Sequence, residues 1–394
     1  EGLAGYYFDL TLLGNSEPND TPAQAAPIAY DQPTGGLISC TDVDTYTFEG
    51  QAGEEVRVQR PAWWWGPLLH HWQLLDANQQ VVAENFLRYW WSENNWRPLH
   101  AFLPATGTYY LRVLEDDCSD GNQAYDFSLK RVIRPLYLSF NKAGSLQGVR
   151  FTAGDVLRYD PATGQLEMYI DMSDLGLNGN LTALDVGDQF GLLLGFAAKY
   201  TLPGLGPVLP QDLVATWPHT TGEATTAEPV RMQFRGGNVG LTASGERIGA
   251  VGLISDTYWS WPRLFLTTTG RARVPADGSI LFENEDFPWF NIEDEGFYTA
   301  GFWSPYFDGS LYGLGPAAIT GADMDEFDDM GGDSLWFSFD RPVTFGGIRF
   351  DPGDIANCFE LSGEDYMCES ITKYFDASDA GFGGYRIDAL EVGD

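Results

Sequence analysis

The sequence predicts an all-β protein. Two observations carry that prediction: 46 Gly and 22 Pro are spread between short β-branched and aromatic runs, and no amphipathic helix of three turns can be traced. A third refines it, because a set of motifs recurs in order through the last two thirds of the chain. The expected architecture is an N-terminal β-sandwich followed by a four-repeat β domain.

The 394 residues include 22 Lys or Arg against 56 Asp or Glu, a formal charge of −34. Such a field repels nucleic acid and anionic membrane surfaces, so neither is an expected partner. A hydrophobic fraction of 44% with 14% aromatics is too rich for a disordered chain and provides for sizeable cores. No apolar run is long enough for a transmembrane helix, so no membrane span is expected. The chain opens at Glu1 without a Met and without a charged-then-apolar leader, which reads as a mature product whose secretory signal has been removed. The four cysteines fall two to a domain, predicting disulfides Cys40 to Cys118 and Cys358 to Cys368 and an oxidising, extracellular or cell-surface location. With four His in the whole chain and no clustered Cys/His set, metal-thiolate chemistry is disfavoured.

In the first third, strand-like segments run from Thr45 to Phe48, Glu55 to Gln59, Gln73 to Leu75, Gly107 to Val113 and Tyr125 to Leu129, each bounded by Gly, Pro, Asp or Asn. Their spacing suits a sandwich. In Asp42-Val-Asp44-Thr-Tyr46-Thr-Phe48 the alternation places Asp42, Asp44, Tyr46 and Phe48 on one face, so the strand starts at a polar edge and runs into a core.

Together with Glu17-Pro-Asn-Asp20, Ala52-Gly53, Leu74-Leu75-Asp76 and Leu103-Pro-Ala-Thr-Gly107-Thr-Tyr-Tyr110-Leu-Arg-Val113, this strand resembles the bacterial pre-peptidase C-terminal domain. The resemblance covers residues 17–133 and implies a small secreted jelly-roll sandwich of the kind appended to extracellular hydrolases. A long Trp-rich insert between Pro61 and Trp96 departs from the pattern. Some members of that family hold calcium with an acidic, Asn-rich opening segment and a strand carboxylate. The matching positions here are Glu17, Asn19, Asp20, Asp42 and Asp44, and hard oxygen ligands of this kind suit Ca²⁺. The competing reading is that Asp20 and Asp42 only cap turns.

Residues 1–16 precede that pattern. Gly5-Tyr6-Tyr7-Phe8-Asp9-Leu10-Thr11-Leu12-Leu13 is apolar and β-prone, either an edge strand of its own sandwich or an arm that adds to a neighbouring subunit's sheet. Tyr6, Tyr7, Phe8 and Leu10 are its candidate contact residues.

From Leu136 the chain repeats. Leu136-Tyr-Leu-Ser-Phe140, Gly148-Val-Arg-Phe151-Thr-Ala-Gly-Asp155 and Tyr169-Ile-Asp171-Met-Ser-Asp174 reappear as Leu335-Trp-Phe-Ser-Phe339, Gly347-Ile-Arg-Phe350-Asp-Pro-Gly-Asp354 and Tyr374-Phe-Asp376-Ala-Ser-Asp379. The first copy closes Leu184-Asp-Val-Gly-Asp188 and the last Leu390-Glu-Val-Gly-Asp394. Two weaker copies lie between, giving approximate repeats 136–189, 190–262, 263–333 and 334–394 within a domain spanning 134–394. Each supplies about four strands, and a sheet with two apolar faces needs neighbours on both sides. A four-bladed β-propeller is the preferred geometry and a double β-sandwich the runner-up. Asp155, Asp212, Asp286 and Asp354 recur at a comparable point in every copy. Acids repeated in this way either cap turns or line an axial cation site.

Catalytic motifs are missing from the sequence. There is no Gly-x-Ser-x-Gly elbow, HExxH, Walker loop or strand-Gly-x-Gly-x-x-Gly-helix unit. A propeller glycoside hydrolase stays open only because carboxylates are abundant. The most distinctive local feature is aromatic: Trp63, Trp64, Trp65, Trp72, Trp90, Trp91 and Trp96 crowd one short stretch. Consecutive tryptophans in a strand point to opposite faces, so they cannot all enter one core. They are expected to line a groove or an interface. The reading reached is a non-enzymatic extracellular or cell-surface structural protein that assembles with itself, as a filament subunit, through the N-terminal strand and the aromatic surface. The alternative is a secreted carbohydrate- or protein-binding adhesion module that uses the tryptophans.

Overall fold

The computed structural model describes residues 17–59, 70–85, 99–115, 123–187, 191–202, 204–254, 263–275, 279–292, 300–325, 333–362 and 367–393. The chain is all-β and divides into two compact units, Glu1–Ile133 and Arg134–Asp394. Among the described residues no helix is long and apolar enough to cross a membrane. Tyr6, Tyr7, Phe8, Leu10, Trp63, Trp64, Trp65, Trp90, Trp91, Trp96 and Cys118 lie outside the described residues.

The first unit is two sheets sharing one core. One sheet orders Ala26–Pro27, Val43–Gly50, Gly107–Glu115, His70–Leu75 and Val81–Asn85; the other orders Pro33–Ile38, Gln123–Val132, Glu55–Gln59 and His100–Phe102. Alternation works as the sequence requires. Tyr46, Phe48, Trp72, Leu74, Leu111 and Val113 from the first sheet meet Val56, Val58, Tyr125, Phe127 and Leu129 from the second. Trp72 corrects an expectation. It is 3% exposed, its ring 5.0 Å from Phe127 and 5.8 Å from Tyr125, so this tryptophan is core and not binding surface. Position 72 lies on a central strand, and its parity along that strand points the indole inward.

The second unit contains four four-stranded antiparallel sheets, each open. From the innermost strand outward, the second sheet orders Leu181–Gly187, Gly191–Phe196, Asp212–Thr216 and Arg231–Arg235; the third orders Ile248–Ile254, Arg263–Thr268, Phe287–Ile292 and Gly301–Phe307. The fourth orders Ile319–Asp325, Asp333–Phe339, Ile355–Ser362 and Met367–Phe375. The first sheet is completed from the far end of the chain, since Ile387–Val392 pairs antiparallel with Leu136–Phe140, Leu136 opposite Val392. The repeats read from the sequence are therefore out of phase with the sheets by one strand: each copy ends on the innermost strand of the next sheet.

Both faces of the sheets are used. On Gly191–Phe196, Leu192 and Leu194 enter a core shared with Val156, Ile170 and Ala389, while Leu193 enters one shared with Val251, Leu264 and Phe290. That is why the strand reads as a continuous apolar run instead of an alternation. A further core joins Phe265, Phe287 and Tyr306 of the third sheet to Leu335, Phe337 and Cys358 of the fourth. The innermost strands meet their neighbours in a cycle: Leu181–Gly187 packs beside Ile248–Ile254 and Ile387–Val392, and Ile319–Asp325 packs beside the same two. Serial packing through both faces differs from the two-sheet cores of a double sandwich. Cys358 and Cys368, on adjacent strands of the fourth sheet, form a disulfide with Cα atoms 5.3 Å apart. The expected partner of Cys40, Cys118, is outside the described residues.

Candidate metal centre

The five residues proposed for calcium converge at one edge of the first unit. Carboxylate oxygens of Glu17, Asp20 and Asp42 lie within 4.8 Å of one another, on the surface. Behind them sit Asn19 and Asp44, both fully buried. The opening segment is pinned to the strand Val43–Gly50 because Thr45 donates its backbone N–H to the Asn19 carbonyl at 2.9 Å. Asp42 also serves a turn: its Oδ1 accepts the Val43 N–H at 3.0 Å. The turn-capping and ligand readings of this residue are therefore compatible.

Two buried oxygens lack partners. Neither side-chain polar atom of Asn19 is hydrogen-bonded, and Oδ1 of Asp44 is likewise unmatched. The Asn19 amide nevertheless stands close enough to Asp44 to favour its charged form. The other Asp44 oxygen, Oδ2, accepts the Tyr125 hydroxyl, and Tyr125 and Tyr46 share a hydroxyl contact of 2.6 Å. Burial pushes Asp44 above the ordinary carboxylate range, against the Tyr125 hydrogen bond and the nearby Asn19 amide, which pull it down. Glu17 is also pushed up, first by burial and then by the Asp42 and Asp44 charges. Converging carboxylates beside unmatched buried oxygens are what a hard divalent ion relieves. The donor set, all oxygen and mostly anionic, fits Ca²⁺. Glu17, Asp20 and Asp42 would hold it, with Asn19 and Asp44 behind.

The repeated aspartates do something else. Oδ2 of Asp155, Asp212, Asp286 and Asp354 accepts the backbone N–H three residues earlier, from Thr152 at 2.6 Å, Leu209 at 2.9 Å, Glu283 at 2.8 Å and Asp351 at 2.9 Å. In three of them Oδ1 accepts a second backbone N–H from farther along the repeat, Met172 at 3.1 Å, Gly309 at 3.2 Å and Ala377 at 2.9 Å. The carbonyl two residues before each of the four then receives the first N–H of an innermost strand, that of Leu181, Ile248, Ile319 or Ile387. These carboxylates staple turns and do not come together. Of the two roles open to them, turn capping accounts for these contacts, because their oxygens are engaged by backbone donors in four separate sheets.

Two histidines of the first unit stand beside carboxylates. His100 Nε2 lies 2.9 Å from Oε1 of the buried Glu55, which also faces Arg57, and His71 Nε2 lies 3.4 Å from Glu84.

Comparison with known proteins gives limited likeness. No family model matches the chain, and no curated protein matches it. Among solved structures, the pre-peptidase C-terminal domain of collagenase from Bacillus anthracis aligns at 22% identity and a TM-score of 0.21, covering 28% of this chain and 100% of that one. PliG, a periplasmic inhibitor of g-type lysozyme, aligns from Salmonella Typhimurium at 21% identity, covering 27% of this chain and 97% of that one, with a TM-score of 0.21. The Aeromonas hydrophila PliG aligns at 16% identity over 27% of this chain and 91% of that one, with a TM-score of 0.20.

Proposed function

We propose that the chain is a non-enzymatic extracellular structural protein, stabilised by calcium at its first unit and self-assembling through residues 1–16 and the tryptophan-rich insert. The observation that carries this reading is the Glu17, Asp20 and Asp42 cluster in front of the buried, unpartnered Asn19. A surface site of this kind suits the weak, millimolar calcium affinities of extracellular modules, and the Cys358–Cys368 disulfide belongs in the same compartment. We read the cyclic packing of the second unit as a four-bladed propeller that serves as a rigid spacer.

Negative-stain electron microscopy of the full chain in calcium, beside the same protein in chelator and a version lacking residues 1–16, tests the assembly. Regular filaments that depend on residues 1–16 are expected. Monodisperse particles in all three samples overturn the reading.

A further inference from the structure

A sheet edge is a row of backbone donors and acceptors that a strand from elsewhere can extend unless the fold blunts it. The second unit blunts the outer edge of each four-stranded sheet in its own way. Gln165–Ile170, the edge of the first sheet, is covered by the hairpin 218–227, which joins two strands of the second sheet: Gly222 pairs with Ile170 and donates its N–H to the Tyr169 carbonyl at 2.8 Å. Arg231–Arg235, the edge of the second, carries an arginine at each end. Gly301–Phe307, the edge of the third, is interrupted by Pro305, which has no N–H to give. On Met367–Phe375, the edge of the fourth, the Cys368 N–H is taken by the Tyr312 hydroxyl at 2.5 Å.

In the first unit three of the four edges are blunt as well. Ala26–Pro27 has two residues and ends in proline, His100–Phe102 has three, and Pro33–Ile38 opens on Pro33 and carries Gly35-Gly36 at its centre. Val81–Asn85 is different. It closes the order of its sheet, pairs on one side with His70–Leu75, and holds five consecutive residues with neither proline nor glycine. Val81 is 52% exposed, while Val82 and Ala83 pack against the sandwich core. Among the described residues this is the edge left unguarded.

The position also dictates what fits it. A strand beside Val81–Asn85 has the sandwich core on one face and water on the other, so its side chains must alternate. The N-terminal segment does so: Tyr6, Phe8, Leu10 and Leu12 fall on one face, with Asp9 and Thr11 on the other. A strand between the packed sheets of the second unit reads instead as a continuous apolar run, as Gly191–Phe196 does.

We infer that residues 1–16 of one copy add as a strand to the Val81–Asn85 edge of a second copy, with Tyr6, Phe8, Leu10 and Leu12 turned toward its sandwich core. Donor and acceptor lie at different places on the chain, so the contact is heterologous and passes from copy to copy. The inference rests on the assembly proposed above and names the surface that receives the arm.

The test uses the full chain throughout. A photo-crosslinking amino acid in place of Leu10 is activated in a mixture of isotope-labelled and unlabelled protein, and the crosslinked peptides are identified by mass spectrometry. Mixed-isotope crosslinks to the peptide containing residues 81–85 are expected. Val81→Lys puts a charge on the exposed edge, and Val81→Pro puts proline at the first position of the strand, where it is tolerated. Each is expected to raise the concentration needed for assembly, read by sedimentation, at least about tenfold, with circular dichroism unchanged. If the parent assembles but its crosslinks fall elsewhere or within one copy, or both variants assemble as the parent does, this inference is overturned and the assembly reading stands. A parent that stays monomeric at every concentration overturns both.

Discussion

Asp185 and Leu253 belong to different sheets, yet the carboxylate of one accepts the backbone N–H of the other at 2.8 Å. With the Asp323 to Val392 bond it ties the innermost strands together through side chains where no sheet ladder joins them. The cost is burial of charge. Burial, followed by the Asp323 carboxylate, pushes Asp185 up to about 7, and burial pushes Glu391 well above its ordinary value. Both groups therefore bind protons more tightly folded than unfolded. Their stabilising contribution is complete below the unfolded carboxylate range near pH 4 and is lost as pH rises toward and through about 7. In metal-free buffer the melting temperature is expected to fall between those limits. Thermal melts of Asp185→Asn and Glu391→Gln should show a flatter dependence, and an unchanged slope would refute the assignment.

The repeated aspartates predict a different pattern. Asp354 accepts two backbone N–H groups and the Lys373 ammonium at 2.8 Å, whereas Asp155 accepts two backbone N–H groups alone. Asp354→Ala leaves these donors unmatched and should cost about 3 kcal/mol, with Asp155→Ala costing about 2 kcal/mol. Urea unfolding measures both. Losses within a few tenths of a kcal/mol would mean that the staples carry no load.

Much of this was legible in the sequence, for definite reasons. The Tyr46 and Phe48 alternation marks a half-buried strand, and the recurrence of Asp155 at 212, 286 and 354 marks one turn used four times. Their role was not legible, because a repeated acid reads alike whether it caps a turn or faces an ion. Asp185 and Glu391 were present in the closing motifs Leu184-Asp-Val-Gly and Leu390-Glu-Val-Gly, but their meeting depends on the final strand returning to the first sheet. Period alone does not say where a repeat is cut. Composition groups Trp72 with its neighbours in sequence, and only the placement of His70–Leu75 inside a sheet shows it to be core.

Trp72 supplies a direct check of that placement. Buried against Phe127 and Tyr125, it should behave as core: Trp72→Ala is expected to destabilise the first unit by about 3 to 5 kcal/mol. Denaturant unfolding followed by circular dichroism measures the loss. A variant with unchanged stability would return Trp72 to the surface group.

Calcium should act on the first unit through Glu17, Asp20 and Asp42. At millimolar calcium an affinity typical of extracellular modules gives a stabilisation of about 1 to 2 kcal/mol. Asp20→Asn and Asp42→Asn each remove a charge from the cluster and should abolish most of that gain. Their calcium-free stability should stay level or rise, since Glu17 is pushed up partly by the Asp42 and Asp20 charges. If these two carboxylates only cap turns, the order reverses: both variants lose stability without calcium, and calcium changes neither them nor the parent. Paired thermal melts in calcium and in chelator decide between the two.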